Sequence, residues 1–251
     1  MPPTPTFKVF ITGFGPFPDG RGGHFSRNAS HEVTRLLPSS LPPHSPSNPG
    51  PTSISLLNPT ADDGAHLRTE YAYIRSYCQA LHSPSPSPNH PDLPSPKDVD
   101  LYLHIGMAAG WDFVSVERVA FRQDFTSSWS RGEKGVYYSS PDDAGRTAGD
   151  AGQGPWGSLP VGLGTMVDVD RCVVRAREVL GKDGIEVKAH VEAGEYCCGF
   201  VYYESLANRT SRGQKRNVMF CHVPGELDER SLERARDAIV AVIVAAAEQM
   251  V

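Results

Sequence analysis

Hydrophobic positions along the chain follow two periods, and segments of one period alternate with segments of the other. Apolar residues at every second position, or in short unbroken runs, predict strands over 7–13, 53–57, 99–105, 113–121, 185–191 and 217–223. Apolar residues spaced three or four apart predict helices over 28–37, within 61–81, over 168–180, from 198 onward and over 228–250. This alternation predicts an α/β protein, and we expect a three-layer α/β/α sandwich around a largely parallel, mixed central sheet.

Three segments interrupt this alternation. Residues 38–51 are rich in proline and serine, and residues 83–96 begin with alternating serine and proline. Such segments bury too little apolar surface to offset chain entropy, so we expect both to loop out. Residues 122–164 are rich in glycine, serine and aspartate, and a loop of that length is usually functional or disordered. Because the alternation continues on both sides of the two Pro/Ser-rich segments, we expect one domain over residues 1–251, with insertions at 38–51 and 83–96 and a long loop at 122–164.

Overall charge and composition narrow the classes of function. A net charge of −5 and a pI of about 6.0 lack the basic footprint of a nucleic-acid-binding protein. The longest apolar run, 238–247, is shorter than the roughly 20 residues of a membrane span. The first six residues lack the basic and apolar regions of a secretory signal, and five cysteines without framework spacing favour a reduced chain. We therefore expect a cytoplasmic protein with no nucleic-acid or membrane partner.

The candidate chemistry centres on a cysteine at a corner of the chain. Cys198 follows a predicted strand and the glycine Gly194, and it begins a predicted helix. Free backbone N–H groups and the positive end of the helix dipole favour a thiolate at such a position. Glu117 and His222 lie on two other predicted strands, so a thiol, an imidazole and a carboxylate are available for a cysteine hydrolase. No His, Cys or Asp cluster has metal-ligand spacing, and we expect neither metal nor cofactor.

Four segments of the chain carry motifs that resemble those of the pyroglutamyl peptidase I (pyrrolidone-carboxylate peptidase) family. The match runs in order from residue 7 to the last helix and leaves out the two insertions and the long loop. The matching segments are the glutamate signature (Gly106, Ala109, Val114-Ser115 and Glu117-Arg118-Val119-Ala120), the cysteine signature (Ala193-Gly194-x-Tyr196-x-Cys198), the histidine segment (Phe220-x-His222-Val223-Pro224) and the N-terminal substrate loop (Thr12 to Phe17 with Asn28-Ala29-Ser30).

The resemblance implies a phosphorylase/hydrolase-like fold and a peptidase that removes an N-terminal pyroglutamate (5-oxoproline) from peptides. The resemblance implies that Cys198 is the nucleophile and that the reaction passes through a thioester acyl-enzyme on Cys198. His222 is the general base, and Glu117 orients its imidazole. A histidine suits the role because its unperturbed pKa lies near working pH. Family members occur as monomers and as tetramers, so the oligomeric state stays open.

The resemblance also assigns the substrate pocket. Phe14 and Phe17 would sandwich the flat, uncharged lactam ring, while main-chain groups contact its polar edge. Asn28 would hold this loop in shape, and Met107 would line the pocket where bacterial members often carry glutamine. A site of this kind rejects an open glutamate or glutamine, whose charged amino group would lose water without gaining a partner. The alternative is that both phenylalanines pack in the hydrophobic core and have no role in substrate binding.

Several departures and rival interpretations stay open. Arg122 stands where the family signature ends in asparagine or glycine, and the long segment 122–164 can narrow or cover the site. A thiol amidase with a different acyl specificity and a catalytically inactive scaffold remain alternatives. A nucleotide-binding module over residues 13–18 is disfavoured because Pro18 replaces the third glycine of a dinucleotide fingerprint.

The remaining cysteines, histidines and nearby acids have ordinary interpretations. We expect Cys197 to be structural, the other eight histidines to be structural or on the surface, and most glutamates to be solvated. Glu192 and Glu195 are rivals of Glu117 because they lie close to Cys198 in sequence. Packing roles are expected for Cys78, Cys172 and Cys221.

Overall fold

A central sheet of eight strands organises the part of the chain that the computed structural model describes, residues 6–18, 23–58, 66–128, 130 and 135–251. Its strands are β1 (Thr6–Gly13), β4 (Ser40–Leu41), β5 (Ser53–Leu57), β6 (Leu101–Ala108), β7 (Val114–Phe121), β8 (Gly162–Gly164), β9 (Val187–Glu192) and β10 (Val218–Pro224). A separate small hairpin pairs β2 (Phe17–Pro18) with β3 (His24–Phe25). The helices are α1 (Ala29–Leu36), α2 (Tyr71–Leu81), α3 (Val169–Leu180), α4 (Cys197–Ser211) and α5 (Glu229–Met250).

The strand order is β4-β5-β1-β6-β10-β7-β8, and β9 also pairs with β7. Strands β5, β1, β6 and β10 run parallel to one another, whereas β7 is antiparallel to β10 and parallel to β9. The short strands β4 and β8 are antiparallel to their neighbours. The sheet is therefore mixed and mostly parallel, as the sequence predicts.

Alternation along each strand divides the core into two layers. On β1, Val9 and Ile11 face one side and Phe10 faces the other, as expected for a period of two. Apolar residues of α1, α3 and α5 join the first side, and those of α2 and α4 join the second. This arrangement confirms the three-layer α/β/α fold.

The prediction that residues 38–51 loop out is wrong for part of the segment. Residues Ser40–Leu41 form the edge strand β4, and Leu41 is buried in the core. The Asn48 side chain donates hydrogen bonds to the carbonyls of Leu41 and Thr52 at 3.1 and 2.9 Å, which folds the segment back onto β5. One buried leucine and one buried amide are enough to hold it, although its overall composition is that of a loop.

The long segment 122–164 is anchored to the α2 and α4 layer where the structure describes it. Arg75 of α2 pairs with Glu204 of α4 at 3.1 Å and donates to the carbonyls of Ala151 and Gly152. Trp156 donates its indole N–H to the other Glu204 oxygen at 2.8 Å. In the middle of the segment, the Asp142 carboxylate accepts the backbone N–H that begins α2, at 2.8 Å.

Two further predictions concern the helices. The helix predicted within 61–81 is α2 at Tyr71–Leu81, and residues 61–65 lie outside the described part of the chain. None of the helices described is long and apolar enough to cross a membrane.

Candidate active site

Strand β7 carries the acidic residue of the site between two histidines on neighbouring strands. Ser115 of β7 stands opposite His222 of β10, and Glu117 of β7 stands opposite His190 of β9. Residues 115 and 117 share one face of the strand because the side-chain period is two, and that face is the one covered by α4. Strand pairing therefore places a carboxylate with an imidazole on each side of it.

The carboxylate of Glu117 is buried and fully paired. Its Oε1 accepts a hydrogen bond from His222 Nδ1 at 2.9 Å and another from the Ser115 hydroxyl, while its Oε2 accepts from His190 Nδ1 at 2.8 Å. Burial alone raises the pKa of Glu117, but the hydrogen bonds from both histidines, the charge of His222 and the Ser115 bond outweigh it. The net pKa lies below its ordinary value, so Glu117 is ionised at neutral pH.

Cys198 is the second residue of α4, directly after a corner in the chain. Gly194 makes this corner with φ of +88°, a conformation that residues with a side chain rarely adopt. The N-cap residue of α4, Tyr196, makes no side-chain capping hydrogen bond, and Cys198 belongs to the first turn, where backbone N–H groups have no partner within the helix. Cys198 is the one cysteine of the five that is partly exposed; the other four are buried thiols.

A glycine on β6 allows the sulfur and the imidazole to approach the sheet. A Cβ atom added to Gly106 would lie 2.7 Å from Cys198 Sγ, 2.8 Å from Phe220 Cζ and 3.1 Å from His222 Cδ2. No real Cβ tolerates the first two distances without a shift of its neighbours. Gly106 therefore makes room for the meeting of Cys198 and His222.

His222 links the sulfur to the carboxylate. Burial by itself lowers the pKa of His222, but the charge of Cys198, a hydrogen bond with Cys198 and the bond and charge of Glu117 raise it to about 10. Because Nδ1 is taken by Glu117, Nε2 is the nitrogen left for the sulfur. His222 is thus hydrogen-bonded to the carboxylate at 2.9 Å, and its ring lies beside the Cys198 sulfur above Gly106.

A cavity of about 590 Å³ opens beside Cys198. It is lined by six of the seven site residues predicted from sequence, and Glu117 lies behind His222 and His190. The six are Phe14, Phe17, Asn28, Met107, Cys198 and His222. Lining residues that the sequence did not single out for the site include Thr69, Trp111, Ser139, Ser140 and His190.

Asn28 fixes the loop that carries the two phenylalanines. Its Nδ2 donates to the carbonyl of Gly15 at 2.8 Å, and its Oδ1 accepts from the backbone N–H of Ser30 at 3.0 Å, which caps α1. Phe14 is largely buried where it lines the cavity, and Phe17 packs against Phe25 with ring centroids 4.9 Å apart. One amide therefore couples the start of α1 to the shape of the loop.

His190 is one of the eight histidines expected to be structural or on the surface, and it lies at the candidate site. It lines the cavity and bonds the buried carboxylate. Trp111 packs edge-on against the rings of His190 and His222, with centroids 4.9 and 5.8 Å away. The signal for His190 is its position opposite Glu117, which depends on strand order and cannot be read from local sequence.

The two glutamates that are alternatives to Glu117, and the arginine at position 122, each have other partners in the structure. Glu192 accepts the backbone N–H of Gly194 at 2.6 Å and a hydrogen bond from Tyr137, so it braces the corner before α4. Glu195 accepts from the Ser130 hydroxyl at 2.7 Å. Arg122 pairs with Asp124 and donates to three carbonyls of the 122–164 segment. Within the described ranges, no group of three or more His, Cys, Asp or Glu is arranged to hold a metal ion.

The class that these features define is an α/β/α protein with a thiol, imidazole and carboxylate site at the end of its sheet. Solved structures with this fold include the pyrrolidone carboxyl peptidase from Thermococcus litoralis, with a TM-score of 0.65 and 16% identity over 96% of this chain and 94% of that chain. The pyrrolidone carboxyl peptidase from Pyrococcus furiosus gives 0.65 and 17% over 98% and 100%. No protein-family model and no curated protein sequence matches the chain.

Proposed function

We propose that this protein is a cysteine peptidase that removes an N-terminal pyroglutamyl residue from peptides. The observation that carries the proposal is that Cys198 and His222 lie side by side at the edge of a cavity lined by Phe14 and Phe17, with Glu117 hydrogen-bonded to His222. The likeness to pyrrolidone carboxyl peptidases supports it at the level of fold. Unpaired thiols at all five cysteines are consistent with a cytoplasmic location.

In the proposed mechanism His222 holds the proton that the thiol has given up, and the Cys198 sulfur attacks the carbonyl carbon of the pyroglutamyl residue. Backbone N–H groups at the start of α4 donate to the oxygen that becomes negative. The C–N bond then breaks, and His222 gives its proton to the leaving amine, which leaves a thioester on Cys198. Water, deprotonated by His222, attacks the thioester and releases pyroglutamate with the thiol restored. Glu117 holds the imidazole in one tautomer throughout.

Recognition of the lactam follows from the walls of the cavity. Phe14, Phe17 and Met107 supply apolar surface for a flat, uncharged ring. Asn28 keeps the loop of Phe14 in place through the Gly15 carbonyl. A free α-amino group would lose its water against these walls, so open-chain glutamyl and glutaminyl peptides are poor substrates.

The test is hydrolysis of a fluorogenic pyroglutamyl amide by the wild type, Cys198→Ala and Cys197→Ala. We expect turnover by the wild type, no turnover by Cys198→Ala although it is folded, and retained activity in Cys197→Ala, whose cysteine is buried beside the nucleophile. Near-wild-type activity in Cys198→Ala would overturn the proposal.

A panel of acyl amides tests the specificity. Prolyl, glutaminyl and glutamyl amides should be hydrolysed far more slowly than the pyroglutamyl amide. A clear preference for a non-lactam group would make the protein a thiol amidase of another specificity. Absence of any turnover, with Cys198 no more reactive to iodoacetamide than the buried cysteines, would make it an inactive scaffold.

A further inference from the structure

Glu117 is shared between two imidazoles, and the chemistry proposed above uses only one of them. His190 Nδ1 lies 2.8 Å from Glu117 Oε2 and 2.9 Å from the carbonyl oxygen of Glu192. Both of these partners only accept hydrogen bonds, so His190 Nδ1 carries a hydrogen and donates it. His190 therefore binds the carboxylate oxygen that His222 leaves unused.

Burial makes this second hydrogen bond consequential. The Glu117 side chain is 0% exposed, whereas that of His190 is 36% exposed and reaches the cavity. A buried carboxylate oxygen without a donor is costly, and such a group responds by taking a proton or by turning toward another donor. Either response would weaken the bond from Glu117 to His222.

We propose that His190 is a positioning residue that keeps Glu117 ionised and aimed at His222. In this arrangement Glu117 supports the imidazolium form of His222, and the imidazolium in turn supports the thiolate of Cys198. Trp111, packed edge-on against both imidazole rings, keeps the two histidines on either side of the carboxylate. The charges that act on the His190 ring are those of Glu117 and Glu192, and the hydrogen bond to Glu117 raises the pKa of His190 against the effect of burial.

Two amide substitutions separate this role from simple packing. In His190→Asn the side-chain amide nitrogen occupies the place of Nδ1, so the donor to Glu117 is kept. In His190→Gln the amide nitrogen falls near the place of Nε2, and the donor to Glu117 is lost. Val191→Ala is the control, because Val191 is the next residue on β9, points to the other face and is 68% exposed.

The first readout is the rate at which iodoacetamide alkylates Cys198 as a function of pH, with the modified cysteine identified by mass spectrometry. This readout needs no substrate. Loss of the donor weakens the hold of Glu117 on His222, and the imidazolium form of His222 then supports the sulfur anion less. In His190→Gln the alkylation midpoint should rise by about one pH unit. His190→Asn and Val191→Ala should keep the wild-type midpoint.

The second readout is hydrolysis of the pyroglutamyl amide, and it rests on the proposed function. In His190→Gln we expect kcat to fall at least about tenfold while KM stays within about twofold, because Phe14, Phe17 and Met107, the walls proposed for the lactam ring, are unchanged. His190→Asn should restore most of kcat.

The two readouts keep the two proposals distinguishable. Equal midpoints in the wild type, His190→Asn and His190→Gln would overturn the role of His190, whatever the activity. A raised midpoint in His190→Gln alone, in a protein that hydrolyses no pyroglutamyl amide, would support the role of His190 and overturn the proposed substrate. A similar midpoint shift in His190→Asn and His190→Gln would show that the ring itself is needed, and it would also overturn the role of the Nδ1 donor.

Discussion

The two faces of the central sheet are equally buried but differ in chemistry. The face covered by α1, α3 and α5 is packed almost entirely with aliphatic side chains. The face covered by α2 and α4 is rich in aromatic rings, and it also contains buried charged and polar groups. Those groups include Arg75, His82, His104, Glu117, Glu204 and His222. The candidate site lies on this second face, where low polarity strengthens each interaction between charges.

Two buried histidines on the second face show how the groups bonded to an imidazole set its pKa. His104 of β6 stands opposite Phe220 on β10, two residues from His222. Among the described residues, His104 bonds the hydroxyls of Thr12 and Ser205, and burial lowers its pKa to about 3. His222 is also buried, yet Cys198 and Glu117 raise its pKa to about 10. Equal burial thus gives a neutral histidine beside hydroxyls and a charged one beside a carboxylate and a thiol.

The largest expected effect comes from removing one of the two partners that separate His222 from His104. Glu117→Gln keeps the volume of the side chain but leaves Nδ1 of His222 without an anionic partner. We expect kcat for the pyroglutamyl amide to fall by about 10³- to 10⁴-fold, as for other triads that lose their carboxylate. Steady-state kinetics at neutral pH measures this. A loss of less than tenfold would mean that Glu117 does not orient His222.

The same substitution has a signature in stability against pH. The folded-state pKa of His222, about 10, lies above the ordinary value of about 6.5, so protonated His222 stabilises the fold. That contribution is complete below the ordinary pKa and is lost as pH rises through the folded-state pKa. Glu117→Gln lowers the pKa of His222, so the variant loses this stabilising contribution at a lower pH than the wild type. The difference in melting temperature between the two proteins should therefore narrow between roughly pH 7 and pH 11. A gap that widens with pH would contradict this sign.

The next effect tests whether charges on the second face hold the long segment 122–164. Arg75→Met leaves Glu204 buried without its cation, and we expect a loss of about 3–5 kcal/mol in the free energy of unfolding. The double variant Arg75→Met with Glu204→Gln should recover much of that loss, because no uncompensated charge remains. Urea unfolding measures both. If the double variant is less stable than Arg75→Met, the ion pair is not the anchor.

Local patterns were sufficient for most of the fold but not for the contacts between distant segments. Alternation places Glu117 and Ser115 on one face of a strand, and the Asn28 and Asp168 caps mark the starts of α1 and α3. The pairing of Arg75 with Glu204 joins residues 129 apart, and no periodicity predicts it. His190 is missed for the same reason, since its partner is defined only when β9 lies beside β7. The edge strand β4 depends on one buried leucine within a segment of loop composition.

A smaller effect is expected from removing a helix cap, and the caps of α1 and α5 can be compared. Asn28→Ala removes both the cap of α1 and the hold on Gly15, so we expect a loss of about 1–2 kcal/mol and a raised KM. Asp228→Ala removes the cap of α5, which lies on the aliphatic face, and it should lower the melting temperature without changing KM. Equal KM values in the two variants would separate Asn28 from substrate binding.

The smallest expected effect tests whether the two faces of the sheet are equally closely packed. Ile243 of α5 and Ile74 of α2 are both fully buried, one on each face. Removing one methylene from either should cost about 0.5–1.5 kcal/mol, because both layers are closely packed. Ile243→Val and Ile74→Val should therefore show similar losses in urea unfolding and unchanged kcat. If the Ile74→Val loss were several-fold smaller, the aromatic face would be the looser one. The charges of the site would then sit in a layer that can relax around them, and the pKa contrast between His104 and His222 would shrink with it.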